Sequence, residues 1–195
     1  MSSNTEKKNE CVGTKEKDEF RIIELTREDN YLSEIESAYS TSHYYDVCIN
    51  HKPASWNIQL TLKAFEVTVA KAYHGKLFED HIQEPRVFAA LQGGKQVGWI
   101  ELGYDKWNNR MRVWEFLVEN NSRSKGIGTL LMNHAVEMAR QKQARMLVLE
   151  TQTNNADAIS FYLKFGFRFV GIDIAAYSND DIGKREVRLE LGLEL

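Results

Sequence analysis

Residues 123–128, Arg-Ser-Lys-Gly-Ile-Gly, set two cations beside two glycines just ahead of an apolar run with helical spacing. Glycine inside a helix costs roughly 1 kcal/mol against alanine, so a pair at a helix start points to a use for bare backbone. The matching chemistry is anion binding. Small residues let the loop wrap closely, while the first helical amides and the positive end of the helix dipole face the guest. A P-loop pattern GxxxxGK[ST] is absent, and a GxGxxG fingerprint fails at Leu131, where a small residue belongs. The RxxGxG pattern fits Arg123 to Gly128 outright, with Ser124, Lys125 and Ile127 between. A pyrophosphate suits such a loop, Thr129 adding a hydroxyl and Arg123 and Lys125 adding charge. A plain glycine-rich turn is the competing reading; the strand pattern ending at Val118 and the long amphipathic run after Gly126 weigh against it.

A second chemical feature is Glu115, in "VWEFLV", a carboxylate in an otherwise apolar strand pattern. Such a position needs a reason, either a chemical role or a salt-bridged or edge placement. Alternation sets Glu115 on one face with Val113 and Leu117. Glu101, in "WIELGY", is a second acid, suited to a cationic ligand. His43, His51, His74 and His81 show no metal spacing, His134 falls on the helix after Gly126, and Cys11 and Cys48 stand far apart. No metal is expected. Trp99, Tyr104 and Trp107 either wall a cleft or serve packing.

These residues need a scaffold. "FRIIEL" (20–25) reads as a strand with Thr26 as a following N-cap, and 27–40 carries Tyr31, Ile35 and Ala38 at helical spacing. Residues 41–55 read as loop or broken helix, and 56–82 as a second helical region. After Pro85, three strands at 86–92, 96–107 and 111–119 form a meander. Residues 126–143 are the clearest helix, 144–153 a buried-type strand, and 155–165 a short helix closed by Gly166. Two strands follow, at 167–178 and 185–195. The last either pairs across a homodimer or lies inside the sheet. The order predicts a single α/β domain with a mixed sheet and helices on its faces.

With 195 residues, 43% hydrophobic and 27% charged, the chain is ordinary for one globular domain. A net charge of -3 gives no basic signature for nucleic acid, so any anion site is local. No apolar run approaches ~20 residues and no signal-peptide core stands at the start, so no membrane span and a cytoplasmic setting are expected. Residues 1–19 are polar and charged and read as a disordered tail before a domain over 20–195.

The stretch "WEFLVENNSRSKGIGTLLMNHAVEMA" resembles the acetyl-CoA motif of the GCN5-related N-acetyltransferases (GNAT). "ETQTNNADAISFYLKFGF" (150–167) is similar to that family's second motif, beginning at Asn155. The resemblance covers roughly 86–178, and within the family "ELGYDKWNN" and "LETQTNN" look closest to streptothricin acetyltransferases. It implies a mostly antiparallel sheet, helices on both faces, and a central strand pair splayed at one end. Acetyl-CoA would lie in that gap. Its pantetheine arm would bond the strand edge at Leu117 and Val118, and its pyrophosphate the amides of Lys125 to Thr129, with Asn155 and Lys164 near the arm and phosphates.

Acetyl transfer requires a neutral amine and a protonated leaving thiolate. A lysine-like amine with pKa ~10.4 must lose a proton, for which Glu115, directly or through water, is the candidate base. The resemblance makes Tyr162, seven residues past Asn155, the candidate acid, with a core aromatic as the alternative and Phe161 as the better core residue. The expected activity is N-acetylation of a small-molecule amine such as a streptothricin-like antibiotic. A protein N-acetyltransferase and a non-catalytic acetyl-CoA-binding module are the alternatives. The stretch before the meander, "HGKLFEDHIQEP", is less acidic than in the streptothricin enzymes, and the chain ends "VRLELGLEL" where they carry an aromatic-rich strand.

Overall fold

The computed structural model describes residues 20–195; the expected tail lies outside the described residues. Thr26 caps a single helical turn, α1 (Arg27–Asn30), after β1 (Phe20–Leu25), accepting from the Asp29 amide as the sequence suggests. The next 50 residues depart from expectation. In place of two helical regions stand two long strands, β2 (Glu34–Lys52) and β3 (Ser55–Lys76), paired as an antiparallel ribbon.

The physical reason lies in the period. Trp56, Ile58, Leu60 and Leu62 alternate with Asn57, Gln59, Thr61 and Lys63, and Tyr45, Val47 and Ile49 alternate with Asp46, Cys48 and Asn50. Period two suits a pleated strand, and Pro53 sits in the turn between the arms. Tyr31, Ile35 and Ala38 match helical spacing by accident. Ile35 is instead buried from β2 against Leu77, Phe78 and Val87.

β4 (Arg86–Gln92), β5 (Lys95–Asp105) and β6 (Arg110–Val118) form the expected meander. They are followed by α2 (Ile127–Gln141), β7 (Met146–Gln152), α3 (Ala156–Phe165), β8 (Arg168–Asp173), one turn α4 (Asp181–Lys184) and β9 (Arg188–Glu194). The main sheet runs β1-β4-β5-β6-β7-β9-β8, antiparallel throughout except between β6 and β7. The fold is thus mixed α/β with a mostly antiparallel sheet. β9 is enclosed between β7 and β8, so it has no free edge through which to pair with a second copy. Among the described residues no helix is long and apolar enough to cross a membrane.

α2 buries Ile127, Leu131, Met132, Ala135 and Ala139 against Ile100, Leu102, Val113, Leu147 and Leu149 on one sheet face. Full burial of each large aliphatic side chain contributes about 1.5–3 kcal/mol, which anchors the start of α2 to the sheet. α3 adds Tyr162 to this same core. On the other face, in place of the helical regions expected over 27–40 and 56–82, lies the part of the ribbon that carries Ile35 and Tyr73. The ribbon's register slips between Thr41 and His43, dividing it into a half over β6 and a half that packs Val47 on Ile159, Val187 and Leu189.

Candidate active site

β6 and β7 pair only from Arg110–Met146 to Val113–Leu149, although β6 continues to Val118 and β7 to Gln152. Beyond Val113 the two strands part, leaving the gap that the family resemblance implies. The ribbon bridges this gap on one face. Tyr73 of β3 bonds to Glu115 of β6, while the Tyr45 amide donates to the Thr153 carbonyl past the end of β7, at 2.9 Å.

The Glu119 amide donates to Val97 at 2.9 Å, so alternation turns the backbone of Leu117, paired with Trp99, toward β5. The backbone groups facing the open gap are therefore those of Phe116 and Val118. Sequence expectation named Leu117 and Val118; Leu117 does not supply that edge. The Val118 carbonyl accepts from Arg123 Nε at 3.2 Å, and Arg123 Nη2 reaches Ser37 Oγ at 3.2 Å. Arg123 thus ties the loop to the strand and the ribbon and does not stand free at the rim.

Gly126 caps α2 with φ 87°, a left-handed conformation that favours glycine, and a Cβ there would meet nothing within 4 Å. The first helical bond runs from the Leu130 amide to the Gly126 carbonyl, at 2.9 Å. Ahead of it, the amides of Lys125, Gly126, Ile127, Gly128 and Thr129 have no acceptor among the described residues. Ile127 is buried and holds the helix start down, while Ser124, Lys125 and Thr129 are exposed. Unpaired amides over open space, with a helix dipole behind them, are what a phosphate needs. Gly128 passes Phe116 and Phe161, whose nearest ring atoms lie 3.4 and 3.5 Å from where its Cβ would be.

Across the gap, Asn155 opens α3 without using its side chain as a cap, and Lys164 is exposed on the last turn. Tyr162 is 7% exposed, its ring 6.1 Å from Phe116 and 5.9 Å from Phe167, and burial pushes its phenol up. Expectation had Phe161 as the better core residue. The reverse holds, because Ala156, Ile159 and Tyr162 share the inward face of α3 while Phe161 turns toward Gly128 and Phe116.

Glu115 is 9% exposed on the ribbon face. Its companion there is Leu117 but not Val113. Glu101 pairs with Glu115 and Leu102 with Val113, leaving Trp114 as a bulge that reverses the alternation and sends Val113 into the α2 core. The Tyr73 hydroxyl donates to both Glu115 oxygens at 2.7 Å. Gly75 permits this approach, since a Cβ there would come within 2.9 Å of those oxygens. Burial raises the Glu115 carboxyl to about 7 against the opposing Tyr73 bond. Glu101, fully buried, accepts from the Phe78 amide at 2.7 Å, and burial raises it also to about 7. Burial and the Glu115 hydrogen bond, with the carboxylates of Glu79 and Glu150 adding to them, push the Tyr73 phenol up.

Tyr73 and Asn154 were not anticipated. Asn154, 1% exposed at the end of β7, receives the Tyr39 hydroxyl at 3.5 Å and leaves its Nδ2 without a partner. Trp107 and Tyr104 lie at the β5–β6 turn, at the far end of the sheet from the glycine loop, and do not wall this site. Among the described residues no group of three or more His, Cys, Asp or Glu is placed to hold a metal.

Residues 53–167 match the family described as acetyltransferase (GNAT). The chain is 39% identical over 95 residues to a streptothricin acetyltransferase of Streptomyces lavendulae, covering 48% of this chain and 50% of that protein. It is 33% identical over 99 residues to one from Escherichia coli, covering 51% and 56%. The matched stretch thus spans about half the length of these relatives. Among solved structures, a nourseothricin acetyltransferase superposes with a TM-score of 0.72 at 25% identity, over 90% of this chain and 98% of that one. A Bacillus anthracis structure in complex with acetyl coenzyme A shares the fold with a TM-score of 0.71 at 22% identity, over 92% and 99%.

Proposed function

This chain belongs to the acetyltransferase (GNAT) family, and we propose that it transfers acetyl from acetyl-CoA to a primary amine of a small cationic molecule, with streptothricin-like antibiotics as the acceptor class. The observation that carries this reading is the gap between β6 and β7. It has unpaired amides at the start of α2 on one side and the buried carboxyl of Glu115 on the ribbon face.

Acetyl-CoA, when bound, supplies an electrophilic thioester. The residues present fit it: the Lys125–Thr129 amides for the pyrophosphate, with Lys125 adding charge, and the Phe116 and Val118 backbone for an amide-bearing arm added like a strand. Asn155 and Lys164 flank the same gap from α3. An arm bonded to the Val118 carbonyl would have to displace Arg123 from it.

The acceptor enters from the ribbon face, where the carboxylates of Glu79 and Glu115 act on Tyr73 and favour a cation. Glu115 takes the ammonium proton, and a base near 7 suits work at neutral pH. Tyr162, on the helix side, would donate its phenolic proton to the leaving sulfur as the C–S bond breaks; the second proton that the nitrogen loses in becoming an amide goes to water, from which the phenolate is reprotonated. The new C–N bond and the broken C–S bond thus lie between two proton-handling groups on opposite faces of the sheet.

Thiol release from acetyl-CoA, measured against streptothricin, aminoglycosides, polyamines and lysine peptides, tests the reading. Turnover with streptothricin or another small amine supports it. Acetyl-CoA binding with silence across the panel would leave a binding module in its place, and turnover with peptides alone a protein acetyltransferase.

A further inference from the structure

Glu101 and Glu115 stand directly opposite each other on β5 and β6, on the face that the ribbon covers. Directly opposed residues hold their Cβ atoms about 4.5–5.5 Å apart, within reach of one another's carboxyls. Like charges so placed repel, and burial makes the repulsion stronger. Yet the surroundings are built around both groups. The Trp114 bulge brings Glu115 into register with Glu101. Phe78, buried and at φ 60°, adopts a left-handed backbone that a bulky residue avoids, and its amide donates to Glu101 Oε1. Glycine at 75 lets β3 press close enough for Tyr73 to reach Glu115.

The other charged and titratable groups facing the pair do not neutralise it. From β3 comes the Tyr73 hydroxyl, from the segment after β3 Glu79, and from α1 Arg27. Glu79 adds negative charge, and Arg27 is engaged with Asp80. Across β7, Glu150 is paired with Arg188. His81 lies against the Trp114 ring, 4.8 Å between centroids. No cation bonds either carboxyl among the described residues, and Glu101 Oε2 is buried without any partner. A bare anionic oxygen is costly there; a protonated one is a donor.

We propose that Glu101 and Glu115 share one proton, with Glu101 the carboxyl that keeps it, so that the pair and not Glu115 alone is the base that accepts the acceptor's proton. Glu101 is then a positioning residue, since it acts through Glu115. In the step, an N–H bond of the acceptor ammonium breaks, its electron pair stays on nitrogen, and the proton moves to Glu115. The pair passes from one proton and one negative charge to two protons and none. Burial raises both carboxyls, and for Glu101 the Glu115 charge raises it further, which leaves the proton on Glu101 when Glu115 is ionised.

The role as base rests on the acetyl-transfer reading; the shared proton does not. Titration of 13C-glutamate-labelled protein by NMR separates the two, comparing the unmodified protein with Glu101→Gln and Glu115→Gln. Sharing predicts two-step proton release, the second proton leaving at least about one pH unit above the single proton of either variant. Identical midpoints in the unmodified protein and the variants would overturn it. Should Glu101→Gln fail to fold, the Glu101 midpoint in Glu115→Gln alone decides, since sharing requires it to fall. Two-step release without thiol release from any amine would keep the pair and discard the acetyl-transfer reading. Thiol release with independent midpoints would do the reverse.

Discussion

The Tyr73 hydroxyl lies 2.7 Å from each oxygen of Glu115, joining the ribbon to the central strand beside the gap. This bond stabilises the ionised carboxylate and opposes the rise that burial causes. Tyr73→Phe therefore moves the Glu115 carboxyl further above 7. The acidic limb of the kcat/KM profile shifts to higher pH, with a loss of roughly tenfold at neutral pH and recovery in base. An unshifted profile would mean that Tyr73 does not govern the base.

Tyr162→Phe keeps the ring in its cluster with Phe116, Phe161 and Phe167 while removing the hydroxyl. Turnover falls by about 100-fold or more, the usual weight of a positioned acid, while Tm and acetyl-CoA affinity hold. Full activity in this variant would assign thiolate protonation to solvent.

Gly126→Ala forces a side chain into the left-handed region at φ 87°. The cost is about 1 kcal/mol of stability, read by denaturant unfolding. As the turn relaxes, the unpaired amides of the helix start lose their common aim. Calorimetry then reads an acetyl-CoA Kd higher by about tenfold, or about 1.4 kcal/mol.

Stability depends on pH through the same two carboxyls. Glu101 and Glu115 each rise from 4.5 to about 7 on folding, so the folded state holds protons that the unfolded chain releases. The stability from these protons is full below pH 4.5 and is lost as pH climbs through 7. The limit is on the order of 3 kcal/mol per carboxyl. Unfolding free energies at pH 5 and 8 check this: the unmodified protein weakens between them, and Glu101→Gln flattens the difference.

Much of the cofactor half was legible because local rules and tertiary packing agree there. The meander has its GGK and NNR turns, α2 an unbroken apolar stripe, and α3 a left-handed Gly166 at its end. The ribbon was not, because it is exposed on both sides for much of its length. Trp56, Ile58, Leu62 and Val67 face solvent, so the apolar positions do not mark one buried face. Tyr73 was hidden with it. Glu115 was singled out as an acid in an apolar strand, but its partner on the face was misassigned, since nothing in "VWEFLV" announces the bulge at Trp114.

The most direct test is thiol release from acetyl-CoA with streptothricin as the amine, followed with the unmodified protein, Glu115→Gln and Tyr162→Phe side by side. Turnover in the unmodified protein, with a deep loss in both variants whose acetyl-CoA binding is intact, is the predicted result. Equal rates in all three, or none in the unmodified protein with any amine, would contradict the assignment of this gap as a site of acetyl transfer.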